Sequence, residues 1–167
     1  IVSSSADPRD PSIIRNDIIK LVVAGGYQCT PGCVGSDDCC GSSNGYPTLE
    51  GSITNSIEVF DPFQGYIGAF IASTSLKLAR ADATISELPD RKLLIAGGMG
   101  TDKKPRAEAE VLIFDDKGVL AKPDFTSNKM AVGRYLHAAT ALDSGMILIS
   151  GGFGANGTLD SAELYSP

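Results

Sequence analysis

Four thiols gathered in one short stretch are the residues best placed to do chemistry in this sequence. Cys29, Cys33, Cys39 and Cys40 all fall within Cys29-Thr30-Pro31-Gly32-Cys33-Val34-Gly35-Ser36-Asp37-Asp38-Cys39-Cys40. Thiols grouped in this way either pair as disulfides or hold a metal. A zinc knuckle needs paired C-x2-C spacing or a nearby histidine, whereas the spacing here is C-x3-C-x5-C-C and the sole histidine is His137. Disulfides joining Cys29 and Cys33 to Cys39 and Cys40 are the expected state, with free or mixed thiols and a metal site as the alternatives. A bond between the adjacent Cys39 and Cys40 is disfavoured because it strains the backbone. Each bridge would close a short ring and contribute on the order of 2 kcal/mol of local order. Such bridges imply an oxidising compartment, extracellular or at the cell surface.

No convergent catalytic set accompanies the thiols, and no catalytic residue, cofactor or metal ligand is assigned. A hydrolytic triad needs a base, and His137 lies in a stretch that reads as part of a strand hairpin, where a hydrogen-bonded structural role is expected. Ser150 precedes Gly151-Gly152 but takes the place that Ala24 and Ala96 hold before Gly25-Gly26 and Gly97-Gly98, so size matters there, not nucleophilicity. Gly97-Gly98-Met99-Gly100 and Gly151-Gly152-Phe153-Gly154 lack the lysine and the following helix of a phosphate loop. Asp37-Asp38 and Asp115-Asp116 read as solvated turns rather than calcium sites. Asn156-Gly157-Thr158 is a sequon on an expected surface turn, with no glycosylation expected from it. The formal charge of −6 argues against a phosphate-binding face, so nucleic acid is not an expected partner. Lys103, Lys104 and Arg106 read as a solvated loop.

The elements that carry these residues repeat. Leu21-Val22-Val23-Ala24, Leu93-Leu94-Ile95-Ala96 and Met146-Ile147-Leu148-Ile149-Ser150 each end in a glycine pair, Gly25-Gly26, Gly97-Gly98 and Gly151-Gly152. Each run is too short for a helix, rich in residues that suit a pleated sheet and cut off by glycine, so each reads as a buried strand. A second run follows and closes on an aromatic: Ile57-Glu58-Val59-Phe60, Val111-Leu112-Ile113-Phe114 and Ala162-Glu163-Leu164-Tyr165. Phe60, Phe114 and Tyr165 recur at intervals of 54 and 51 positions. Before two of the glycine pairs lies a further strand, from Arg80 to Thr84 and from Arg134 to Leu142, each followed by a turn. A weaker fourth strand is expected between Gly65 and Leu78 and between Val119 and Met130.

A period of about 50 residues with this pattern resembles the kelch repeat. In particular, the unit running from Met130 through Arg134, His137, Thr140 and Gly151-Gly152 to Tyr165 is similar to secreted bacterial kelch proteins and to the central propeller of galactose-oxidase-type proteins. The resemblance implies an all-β chain of four-stranded antiparallel blades belonging to a kelch-type β-propeller with an incomplete ring. Blades are expected at 18–78, 79–130 and 131–167, with residues 1–17 as a tail or linker. The first unit carries a Cys-rich insertion at about 27–52. The usual tryptophan of the outer strand is absent, and Phe70 and Phe125 are the aromatics nearest its place. Families of this kind close rings of about four to eight blades, so the chain is expected to be part of a longer polypeptide.

The function expected on these grounds is a non-catalytic, secreted or surface-displayed interaction module. It would bind a protein or glycan, or act as a structural component of an extracellular assembly. Other copies of the chain, or remaining blades of the same polypeptide, are expected partners alongside these. The competing expectation is a fragment of a carbohydrate-active or galactose-oxidase-like propeller enzyme whose active-site residues lie elsewhere. The copper-binding Tyr and His residues of such oxidases match no motif here. No run of about 20 apolar residues is present to span a membrane.

Overall fold

Short β-branched and leucine-rich runs, each stopped by glycine, build antiparallel sheets throughout the described part of the chain. The computed structural model describes residues 21–28, 42–43, 46–47, 52–62, 64–115, 120–121 and 123–167. In the first unit β1 (Leu21–Ala24), β2 (Tyr27–Gln28), β3 (Ser42–Ser43), β4 (Tyr46–Pro47), β5 (Ser52–Ile53), β6 (Ser56–Asp61) and β7 (Ala69–Ser75) follow one another. The second unit supplies β8 (Thr84–Leu88), β9 (Lys92–Ala96), β10 (Ala109–Ile113) and β11 (Asp124–Phe125). The third supplies β12 (Ala138–Ala141), β13 (Ile147–Ser150), β14 (Phe153–Gly154), β15 (Gly157–Thr158) and β16 (Ala162–Tyr165). The chain is all-β, with no helix among the described residues.

Three sheets carry the architecture. Sheet 1 is ordered β1-β6-β7, sheet 2 is β11-β10-β9-β8, and sheet 3 is β12-β13-β16. Sheet 2 has four strands; sheets 1 and 3 have three each among the described residues. The expected outer strands appear as β7 and β11. The registers coincide across the sheets, with Ala24 opposite Ile57, Ala96 opposite Ala109 and Ser150 opposite Ala162. Small ribbons extend from the same end of the outer two units. They pair β2 with β5 and β14 with β15, while Met99 bridges Ala81 and Pro105 in the middle unit.

Burial explains why the run from Leu93 to Ala96 in β9 is apolar throughout. Sheet 2 is covered on both faces, and the core divides into two clusters accordingly. One joins Ile57 and Leu76 to Ile95 and Leu112; the other joins Leu88, Leu94, Ala96, Ala109 and Met130 to Ile147 and Ile149. Leu94, Ile95 and Ala96 are all buried as consecutive residues, so β9 must be apolar on both sides. In contrast, β6 alternates between exposed and buried positions from Ser56 to Val59, which is the period-two signature of a strand with one covered face.

The glycine pairs adopt one conformation in all three units. Gly25, Gly97 and Gly151 have φ of 69°, 63° and 65°, and Gly26, Gly98 and Gly152 have φ of 103°, 98° and 84°. Two consecutive residues at positive φ strain any side chain, so the pair is a backbone requirement. The pairs follow β1, β9 and β13, of which β9 and β13 are central in their sheets and β1 lies at the edge of sheet 1 among the described residues. Phe60 and Tyr165 also hold equivalent positions, opposite Leu21 and Ile147. In sheet 2 that position, opposite Leu93, is taken by Leu112. Phe114 lies two residues further along and bridges Leu120.

Candidate interaction face

Aligning the sheets on their glycine pairs brings out a charged pair that the residue spacing conceals. Arg80 and Arg134 each stand 17 positions before a glycine pair, and Glu110 and Glu163 stand at matching places on β10 and β16. The Arg80 guanidinium donates to the Gly97 carbonyl at 2.8 Å, the Glu108 carbonyl at 2.9 Å and the Glu110 carboxylate at 2.6 Å. Arg134 repeats this with the Gly151 and Ser161 carbonyls, both at 3.0 Å, and the Glu163 carboxylate at 2.9 Å. Each carboxylate also accepts two backbone N–H groups, from Lys77 and Leu78 on Glu110 and from Ala131 and Val132 on Glu163. Burial alone would raise the Glu163 pKa, but the Ala131 N–H, the Arg134 guanidinium and the Val132 N–H together hold it below its usual value. Arg80, Glu110 and Arg134 are fully buried, an arrangement tolerable only because the charges are paired and hydrogen-bonded.

The arginines are seams between sheets. While its side chain serves sheet 2, the Arg80 carbonyl accepts the Gly26 N–H of sheet 1 at 2.8 Å, and the Arg134 carbonyl likewise accepts the Gly98 N–H at 2.8 Å. A Cβ on Gly25 would overlap the Arg80 carbonyl, and one on Gly97 would overlap the Arg134 carbonyl. Gly25 and Gly97, the first glycines of their pairs, are therefore the places where the next sheet's arginine loop makes its closest approach.

Beyond the arginines, the loops leading into β8 and β12 meet the ribbons. Asp82 and Leu136 occupy equivalent positions at φ of 54° and 52°, unusual values for residues other than glycine. The Tyr27 hydroxyl donates to the Asp82 carboxylate at 3.0 Å, and burial, followed by that contact, raises the Tyr27 pKa. The Leu136 N–H donates to the Asp82 carbonyl at 3.0 Å. One residue thus ties the loop ends of all three units together. Tyr135 and Phe153 exchange backbone hydrogen bonds and hold their rings 5.6 Å apart. Leu136 is 60% exposed, and Phe153 and Val132 are each 39% exposed. These exposed side chains lie on the loop before β12 and on β14, where the Asp82 carbonyl holds the Leu136 backbone and Tyr135 holds that of Phe153.

His137 sits beneath this surface. It is 7% exposed, and its Nε2 lies 2.9 Å from the Thr84 hydroxyl of the neighbouring sheet. Its Nδ1 is buried without a hydrogen-bond partner. Burial, then the charge of Arg134, lowers its pKa to about 4. Ser150 is half-buried on β13. Arg106 pairs with Asp102 at 3.0 Å in its turn. Among the described residues no group of three or more His, Cys, Asp or Glu side chains could hold a metal, and no helix is long and apolar enough to cross a membrane.

Cys29, Cys33, Cys39 and Cys40 lie outside the described residues. In the sequence they fall between β2 and β5, whose Tyr27 contacts Asp82. Sequence reasoning missed the Arg–Glu pairs and the loop-end surface. The pairs carried a signal, the constant spacing of arginine ahead of two of the three glycine pairs; the surface carried none. Compared with known families and with curated proteins, the chain matches no family model and no curated protein.

Proposed function

We propose that this chain is a non-catalytic interaction module of kelch-type propeller blades, secreted or displayed on a surface, that binds a protein or glycan through the loop end of its sheets. The observation that carries the reading is the exposed set Leu136, Phe153 and Val132 beside Tyr135, held on a backbone that includes a leucine at positive φ. Strain of that kind costs about 1–3 kcal/mol, and exposed apolar patches mark binding sites more often than chance. The rings of Tyr135 and Phe153 suit either the apolar face of a sugar or a side chain of a protein. The four cysteines fall in the sequence between β2 and β5, and bridges among them would suit an oxidising compartment.

The test is binding of the labelled chain to a glycan array and to intact cell surfaces, compared with Leu136→Asp and Phe153→Ser. Both substitutions lie on exposed side chains and leave the sheets untouched. Binding at least about tenfold weaker in both variants is expected for a central contact. Equal binding by variants and parent chain, or no binding by either, contradicts the reading.

A further inference from the structure

The two seams share one construction and differ in one side chain. Across the first, the Arg80 carbonyl accepts the Gly26 N–H; across the second, the Arg134 carbonyl accepts the Gly98 N–H and the Asp82 carbonyl accepts the Leu136 N–H. A Cβ on Gly98 would press on the Ala81 carbonyl and the Ala83 methyl, and one on Gly152 would press on the Tyr135 carbonyl and the His137 Cβ. Ala83 and His137 are therefore equivalent residues, each three places after its arginine. Ala83 packs against the apolar cluster that joins sheets 1 and 2. Its counterpart in the second seam is the only imidazole of the chain.

That imidazole is wedged between the glycine pairs of two sheets. A Cβ on Gly97 would lie 2.8 Å from its Cε1, and one on Gly152 would lie 2.8 Å from its Cβ. Nε2 is satisfied by the Thr84 hydroxyl of sheet 2 at 2.9 Å, and Nδ1 is buried without a partner. A charged imidazole carries an N–H on both nitrogens, so protonation would bury a second donor with nothing to accept it. The surroundings offer no compensation. On the same loop, Arg134 brings a like charge, and its guanidinium is committed to Gly151, Ser161 and Glu163. In the loop before β8, the Asp82 carboxylate is engaged by the Tyr27 hydroxyl. Met130, which reaches Gly97 from the other side, is apolar.

We propose that the seam between sheets 2 and 3 is an acid-sensitive latch: a proton taken up by His137 releases its loop from Gly97-Gly98 and Asp82, while the seam between sheets 1 and 2, with Ala83 in that place, stays shut. Once the loop opens, the ring meets water and binds its proton near the ordinary 6.5, against about 4 when closed. The closed seam is therefore fully favoured above pH 6.5 and progressively lost as pH falls toward 4. The opening is local, because the cluster joining Leu88 and Leu94 to Ile147 and Ile149 holds no group that titrates in this range. The latch is a property of the seam and does not rest on the binding reading.

Amide hydrogen exchange, followed by NMR at about pH 7.5 and about pH 5, tests the latch, since histidine is the side chain whose charge ordinarily changes in that interval. Protection is taken relative to an unstructured peptide at the same pH, so that it reports opening alone. On moving to the lower pH, the Gly98 and Leu136 amides are expected to lose protection at least about tenfold, and the Gly26 amide to hold its own within about twofold. In His137→Gln the acid loss at Gly98 and Leu136 is expected to vanish. Equal losses at Gly26 and Gly98 would mean that the whole chain loosens, and would overturn the proposal. Unchanged protection at Gly98 in the parent chain overturns it too, as does an acid loss that persists in His137→Gln. The parent chain supplies the first comparison by itself, so the test stands even where the variant folds poorly.

Discussion

The Arg80 guanidinium meets the Glu110 carboxylate at 2.6 Å with neither side chain exposed, and the Arg80 carbonyl at the same time caps the glycine turn of the preceding sheet. A single residue therefore fixes both the fold of one sheet and its docking on another. The pair of Arg134 and Glu163 does the same one repeat later, but the Glu163 side chain is 22% exposed.

Removing one partner of a buried pair strands the other charge, at a cost of about 3–5 kcal/mol. Arg80→Met is expected to destabilise the chain by that amount in urea unfolding. Arg134→Met is expected to cost less, because water reaches the stranded Glu163. The double variant Arg80→Met with Glu110→Leu is expected to recover much of the loss, since it removes both charges together. A double variant less stable than Arg80→Met alone contradicts this account.

His137 makes stability depend on pH in the mildly acidic range. Its folded pKa, about 4, lies below the ordinary 6.5, so below pH 6.5 the unfolded chain takes up a proton that the folded chain refuses. The stability tied to its neutral form is fully present above pH 6.5 and lost progressively as pH falls toward 4. Glu163, whose folded pKa is also lowered, adds a loss of the same sign at lower pH. His137→Gln is expected to flatten the stability profile between pH 6.5 and 4, measured by urea unfolding across that range. A profile as steep as that of the parent chain would contradict the buried neutral imidazole.

Gly97 and Gly151 share a backbone conformation and differ in what faces them. Gly97→Ala and Gly151→Ala both incur the cost of positive φ, about 1–2 kcal/mol. Gly97→Ala also drives a methyl into the Arg134 carbonyl, and overpacking of that kind adds about 1–3 kcal/mol. Thermal unfolding of the two variants is expected to rank Gly97→Ala as clearly the less stable. Equal losses would mean that the seam does not depend on the glycine.

Much of the fold is written in local pattern, because a glycine pair after a β-branched run leaves few alternatives to a strand ending at positive φ. β7 and β11 were legible only as regions, and β11 contributes just Asp124 and Phe125 to pairing. The aromatic register misleads in the middle unit for a physical reason. Sheet 2 is covered on both faces, so β10 does not alternate and Phe114, two residues beyond the equivalent Leu112, looks like the repeat's anchor. The Arg–Glu pairs escape a reading by local spacing because Arg80 and Glu110 meet only once three strands have folded. The loop-end surface is equally non-local, joining Tyr135 to Phe153 across a sheet.

The central claim is that Gly25-Gly26 and Gly97-Gly98 are the seams on which the next sheet's arginine docks, and amide hydrogen exchange measured by NMR tests it most directly. The Gly26 and Gly98 amides, bonded to the Arg80 and Arg134 carbonyls, are predicted to exchange slowly. The Gly152 amide, which meets no arginine carbonyl among the described residues, is predicted to exchange far faster. Fast exchange at Gly26 and Gly98, or the same rate at all three, would contradict the seam and the stacking built on it.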